Sequence, residues 1–208
     1  MRPALLALLA IFFAPMANAI DSPVAGTVQK MRGAALTNHQ NASENLTIGM
    51  KVLIGDRIVT GANTRLALKM NDGAILTLGE NTEFVISDYR YSPKLQQGSA
   101  SMELLKGAFR AVTGAIGKLK ERDFKIKTKV ATIGIRGTDF WGGFYFSEAL
   151  DVALLDGKGI YVENAAGKVE VTAQGDGTTI KNTSDAPSAP MHWGDKKINA
   201  AKQSVSWD

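Results

Sequence analysis

The chain contains no cysteine. Disulfides and thiolate chemistry are therefore excluded, and the fold must be held by buried apolar surface. Histidine is almost as scarce: only His39 and His192 occur, far apart and outside any His-x-His or His-x-x-x-His pair. A zinc site is not expected. No serine stands in a Gly-x-Ser-x-Gly elbow, and a Ser-His-Asp set would have to recruit one of those two histidines. Gly134-x-x-Gly137 is too short for a phosphate-binding loop, and no helical pattern follows it. Asp72, Asp156 and Asp176 stand at turns, and none belongs to a calcium loop. Glu80, Glu83, Glu103 and Asp139 could meet as a sugar-cleaving pair, but nothing in the pattern selects them. No enzyme, metal or cofactor is expected.

Charge of one sign is also lacking. Twenty-four Lys and Arg stand against twenty Asp and Glu, a net charge of +4. That permits loose attraction to anionic surfaces without arguing for nucleic acid. Long apolar runs are absent after the first residues. Arg2, the apolar stretch Ala4 to Ala14, Pro15 and the small-x-small triplet Ala17-Asn18-Ala19 read as a signal peptide cleaved after Ala19. The run is too short to span a bilayer. The expected product is an exported periplasmic protein, not membrane-spanning after cleavage. Residues 1–19 are the leader, 20–181 the domain and 182–208 a polar, proline-broken tail. Met191-His192-Trp193 and Lys196-Lys197 could dock that tail on the domain or on a partner.

What the chain has is glycine, 21 residues of it, spaced at turns between short alternating segments. No stretch of ten residues keeps a helical stripe. The expected fold is all-β, a sandwich or roll of many short strands with Gly-rich turns. Leu66, Leu68 and Met70 alternate with Arg65, Ala67 and Lys69, and Asn71-Asp72-Gly73 then turns a hairpin. Leu53–Gly61 loosely echoes Leu105–Gly114, too little to indicate a solenoid.

The most informative stretch runs from Lys127 to Phe140. Phe124, Ile126, Thr128 and Val130 alternate with Lys125, Lys127 and Lys129, a strand with one wet face. Ile133-Gly134-Ile135 then enters Arg136-Gly137-Thr138-Asp139. An arginine among residues that want burial needs a carboxylate or carbonyl partner. Gly137 permits a tight turn and Thr138 can bond back to backbone. This motif reads as a structural lock, with Arg136 tying chain to chain, or else as a direct partner contact. The lysines form either a solvated face or a contact for an acidic partner. Phe140-Trp141 and Phe144-Tyr145-Phe146 read as core. Exposure of Trp141 or Tyr145 would instead make the run a sugar-binding platform, with those two as partner contacts.

Five segments together resemble a FecR domain: GMKVLIGDRIVTG at Gly49–Gly61, LALKMNDGAILTLGENTEF, Leu105-Lys106-Gly107, KTKVATIGIRGTDF and VALLDGKGIYV. Their order and spacing fit from about Gly26 to Ile180. Lys129 stands where the family usually has proline or a second threonine, and the aromatics around Gly143 are less typical. The resemblance implies an all-β periplasmic domain without catalysis. In the best-known members it follows a transmembrane segment, senses an outer-membrane receptor and controls a sigma factor through a cytoplasmic region. The cleavable leader places this chain nearer to freely exported members. The expected function is a non-catalytic protein- or cell-wall-binding scaffold module, with another protein or an acidic wall polymer as partner. The alternative is a periplasmic sensing component acting through a separate membrane partner.

Overall fold

A computed structural model describes residues 23–207, apart from 41 and 122. The expected leader and its cleavage site lie outside the described residues. In chain order the strands are β1 (Val24–Arg32), β2 (Ala35–His39), β3 (Ala42–Asn45), β4 (Lys51–Leu53), β5 (Arg57–Thr60) and β6 (Arg65–Met70). Then come β7 (Ile75–Leu78), β8 (Glu83–Ser92), β9 (Gln97–Lys106), β10 (Ala108–Val112), β11 (Asp123–Thr128) and β12 (Thr132–Ile135). The last are β13 (Thr138–Gly143), β14 (Leu150–Gly157), β15 (Ile160–Asn164), β16 (Gly167–Val171), β17 (Asp176–Ile180) and β18 (Met191–His192). A 3-10 turn spans Ile116–Lys118, and helix α1 (Asp195–Gln203) lies near the C-terminus.

The strands form two nine-stranded sheets, ordered β18-β17-β14-β13-β10-β7-β6-β1-β4 and β16-β15-β12-β11-β9-β8-β5-β2-β3. The chain crosses from one to the other after one or two strands at a time, so both sheets grow in the same direction. The expected all-β sandwich is what forms. Among the described pairs only β9 and β11 run parallel. The core between the sheets is mostly aliphatic, and three of its aromatic rings touch one another. Phe109 lies 5.8 Å from Phe84 and 5.5 Å, edge to face, from Phe140. Burying each such side chain contributes roughly 1.5–3 kcal/mol.

Two of the crossings share one device. Gly33, before β2, and Gly107, before β10, both take positive φ, +83° and +84°. A Cβ on Gly107 would sit 2.3 Å from Thr82 Oγ1, and one on Gly33 would sit 2.4 Å from Thr64 Oγ1. Each threonine hydroxyl accepts from the N–H, and donates to the C=O, of the alanine that follows the glycine, at 3.0–3.1 Å. One buried hydroxyl thus satisfies both backbone groups of a corner residue. The Leu53–Gly61 echo is of a different kind. It crosses from the first sheet to the second, whereas Leu105–Gly114 crosses back.

The C-terminal residues depart from the polar tail expected of 182–208. Residues 191–207 cross the outer face of the first sheet as a strap. Trp193, Ala201 and Val205 bury themselves with Trp141, Ala153, Leu155 and Ala108 in a second apolar cluster. Lys197 Nζ reaches the buried Asp151 carboxylate at 2.7 Å, and Arg32 donates to the Trp207 carbonyl at 3.0 Å. The joint before it is pinned as well: the Thr178 hydroxyl donates to the Ser188 carbonyl at 2.7 Å. The reason is that the first sheet is apolar on both faces. In β14 every residue from Leu150 to Leu155 is buried, and the strap covers the face that the core does not.

Candidate functional site

The Arg136–Asp139 motif forms a corner between β12 and β13. Arg136 N–H donates to the Gly159 carbonyl at 2.9 Å, and Gly137 turns the chain with φ +82°. Thr138 and Thr113 then hold each other. Thr138 N–H donates to the Thr113 hydroxyl at 2.9 Å, and Thr113 N–H to the Thr138 carbonyl at 3.0 Å.

The arginine that ties strand to strand is Arg110 on β10, not Arg136. It grips Asp139 through Nε and one terminal nitrogen at 2.9 and 2.6 Å. That fork raises the guanidinium pKa above its ordinary value, the Asp139 hydrogen bond being the larger cause. Arg136 instead reaches outward and pairs with Glu170 on β16, with side-chain exposures of 48% and 43%. A pair that exposed contributes little to stability. Within the motif Thr138 and Asp139 bond across to Thr113 and Arg110, while its arginine is presented to solvent.

Behind the corner lies a polar knot that the Asn-Asp-Gly turn reading missed. Asp72 is buried, accepts from Tyr89 Oη at 2.7 Å and from Ala74 N–H at 2.9 Å, and its second oxygen accepts from Ile116 N–H at 3.0 Å. Its carbonyl accepts from Ala115 N–H at 2.9 Å. Burial, and then the Asp72 charge, push the Tyr89 phenol far above the usual tyrosine range, so it remains a donor. The knot fixes the 3-10 turn against the β6–β7 hairpin. The local sequence carried only the turn signal, because Tyr89 and Ile116 meet Asp72 through the fold.

Between that turn, the Gly137 corner and the β14–β15 turn lies an open groove of about 470 Å³. Its charged walls are Lys118, Arg136, Lys158, Asp139 and Asp156. Asp139 is spent on Arg110 and Arg136 on Glu170. Lys118, Lys158 and Asp156 are exposed along the opening, so the groove can exchange ion pairs and hydrogen bonds with a partner. Nothing in it resembles a nucleophile and its base. Among the described residues no three His, Cys, Asp or Glu side chains converge on one point. His39 bonds Asp56 at 2.6 Å and His192 bonds Asp176 at 3.1 Å.

The other expected contact residues scatter. Lys125 and Lys127 are exposed on the outer face of β11 and Lys129 is exposed just beyond its end, while Phe124 and Ile126 point into the core. Lys125 pairs with Asp123 at 2.9 Å, which raises its pKa. Lys129 lies 3.8 Å from Glu148 and 4.5 Å from the Phe144 ring. Lys127 stands in register with Glu103 on β9. The ladder therefore belongs to a face of mixed charge. Trp141 corrects the partner-contact reading. It is fully buried under the strap, and its indole N–H donates to Ser204 Oγ at 2.9 Å. Tyr145 is 46% exposed and Phe146 38%.

Fold and corner define a two-sheet β module with an open groove, rimmed by charged side chains, beside the corner. The chain carries a FecR-like domain: the family model described as FecR protein matches residues 56–158. Two crystal structures of proteins from Parabacteroides distasonis ATCC 8503, both assigned as anti-sigma factors, share the fold. One, at 2.50 Å, gives a TM-score of 0.51 at 17% identity and covers 68% of this chain and 61% of that one. The other, at 1.65 Å, gives 0.55 at 15% identity and covers 69% and 63%. The likeness therefore spans less than two thirds of either solved chain. No curated protein matches the sequence.

Proposed function

We propose that this protein is a non-catalytic periplasmic sensing component that acts through a separate membrane protein, and that the Arg136–Asp139 groove is where the partner binds. The observation that carries the reading is the position of the groove within the family. All its lining residues, from Val112 to Lys158, fall inside the FecR match of residues 56–158. The likeness to solved chains assigned as anti-sigma factors supports a protein partner. Among the described residues no helix is long and apolar enough to cross a membrane, which fits a partner that supplies the crossing. The scaffold reading with an acidic wall polymer has less support. A polyanion would meet Glu103, Glu163 and Glu170 beside the lysines of the second sheet's outer face.

The test is in-cell photo-crosslinking from position 158, with the adduct identified by mass spectrometry. A single membrane-protein adduct, lost in the Lys118→Glu/Lys158→Glu double variant, is the expected result. Retention on purified peptidoglycan with no protein adduct would overturn it. Both lysines are exposed, so the variant should keep the parental melting temperature.

A further inference from the structure

We infer that the cleft between the β13–β14 tip and helix α1 is a second docking site, one that takes a peptide segment of another protein carrying a bulky apolar side chain beside an acidic residue. The tip, residues 144–149, leaves β13 at the end opposite the Arg136–Asp139 corner. Six residues of strand put the two sites roughly 17 Å apart. The inference therefore stands independently of the reading given to the groove.

The cleft encloses about 510 Å³ between Tyr145 and Phe146 on one side and Gly194, Lys196, Lys197 and Ala200 on the other. Its aromatic wall is already fixed. Phe146 lies 5.6 Å from Trp141 and meets Trp193 edge to face at 6.1 Å, and Tyr145 meets Phe146 at 5.1 Å and 78°. Rings held in place and left exposed can bind without a further ordering cost.

The lining selects among occupants. A saccharide needs a flat ring face and side chains that bond its hydroxyls. These rings stand nearly perpendicular, and the cleft has no Asn, Gln, Asp or Glu. A membrane needs a protruding apolar tip. Here Phe146 turns inward against the strap, and the fully exposed Glu148 would face anionic headgroups. An apolar peptide side chain needs only the recess. The charge at its rim sets the neighbouring residue. Lys197 is occupied, 2.7 Å from Asp151 and 4.0 Å from the Trp193 ring centroid. Lys196 is exposed and has no counter-ion within salt-bridge distance among the described residues. An acidic residue next to the apolar one would supply it.

The experiment pans a phage-displayed random dodecapeptide library against the full chain, then measures a fluorescein-labelled selected peptide by anisotropy. The expected selection is a large apolar residue within two positions of Asp or Glu. Phe146→Ser and Lys196→Glu should each weaken binding roughly tenfold, and Lys196→Glu should recover affinity when the peptide's acid is changed to Lys. Lys118→Glu/Lys158→Glu should leave binding unchanged, which separates this site from the corner groove. Both cleft residues are exposed, and circular dichroism checks that the variants are folded. Absence of enrichment, a selected pattern without the apolar–acidic pair, or affinities unmoved by both substitutions would overturn the inference. Binding only to phosphatidylglycerol vesicles would also overturn it.

Discussion

Arg136 stands out in the sequence, but it does little to hold the fold. Its partner Glu170 is as exposed as it is, and Arg136→Ala should change stability by about 0–1 kcal/mol in chemical denaturation. Asp139→Ala removes the two-pronged partner of Arg110, which is half-exposed. We expect a loss of about 1–2 kcal/mol there, charge-assisted bonding being discounted for solvent. Reversed magnitudes would return the lock to Arg136. Tyr89 gives a pH signature. Its folded pKa is raised, so the unfolded chain releases the phenolic proton first as pH climbs past the ordinary tyrosine value near 10. Stability from this group is complete below that pH and falls above it. Melting temperatures from pH 8 to 11.5 should drop more steeply for the parent than for Tyr89→Phe. The variant should itself be about 1–2 kcal/mol weaker at neutral pH, because Asp72 loses a donor.

At the scale of elements, the strap and the corners carry the testable claims. Removing the Trp193 side chain opens the second cluster over Trp141. Trp193→Ala should cost about 3 kcal/mol and shift tryptophan emission to the red as Trp141 meets water. An unchanged spectrum would mean that the strap holds without it. The corner device predicts that Thr82→Val costs about 1–3 kcal/mol, since the Ala108 N–H loses its partner inside the sandwich. Periodicity succeeded where one face of a strand is wet: β11 alternates as read, because nothing covers its lysines. It failed in β13 and β14, where Trp141 is buried although its neighbour Phe140 already faces the core. The unbroken apolar run Val152–Leu155 was the available sign that this sheet is covered twice.

For the whole molecule, the two clusters share strands. Phe109, Phe140, Val152 and Leu154 belong to the main core, while Ala108, Trp141, Ala153 and Leu155 face the strap. The strap should therefore melt with the sandwich. Tryptophan fluorescence and far-ultraviolet circular dichroism should give one coincident transition. A fluorescence transition below the circular dichroism midpoint would make the strap a separate unit.

The sequence by itself determined the all-β class and the hairpins and corners. These follow from glycine spacing and two-residue alternation, which are local. It also placed Arg136–Asp139 at a corner. Which arginine meets Asp139, what Asp72 holds, and what covers Trp141 were decided only by the tertiary structure. Those partners lie 29, 44 and 63 residues away along the chain. Such pairings arise only when crossings between sheets bring distant strands to one rim, and no local pattern records them.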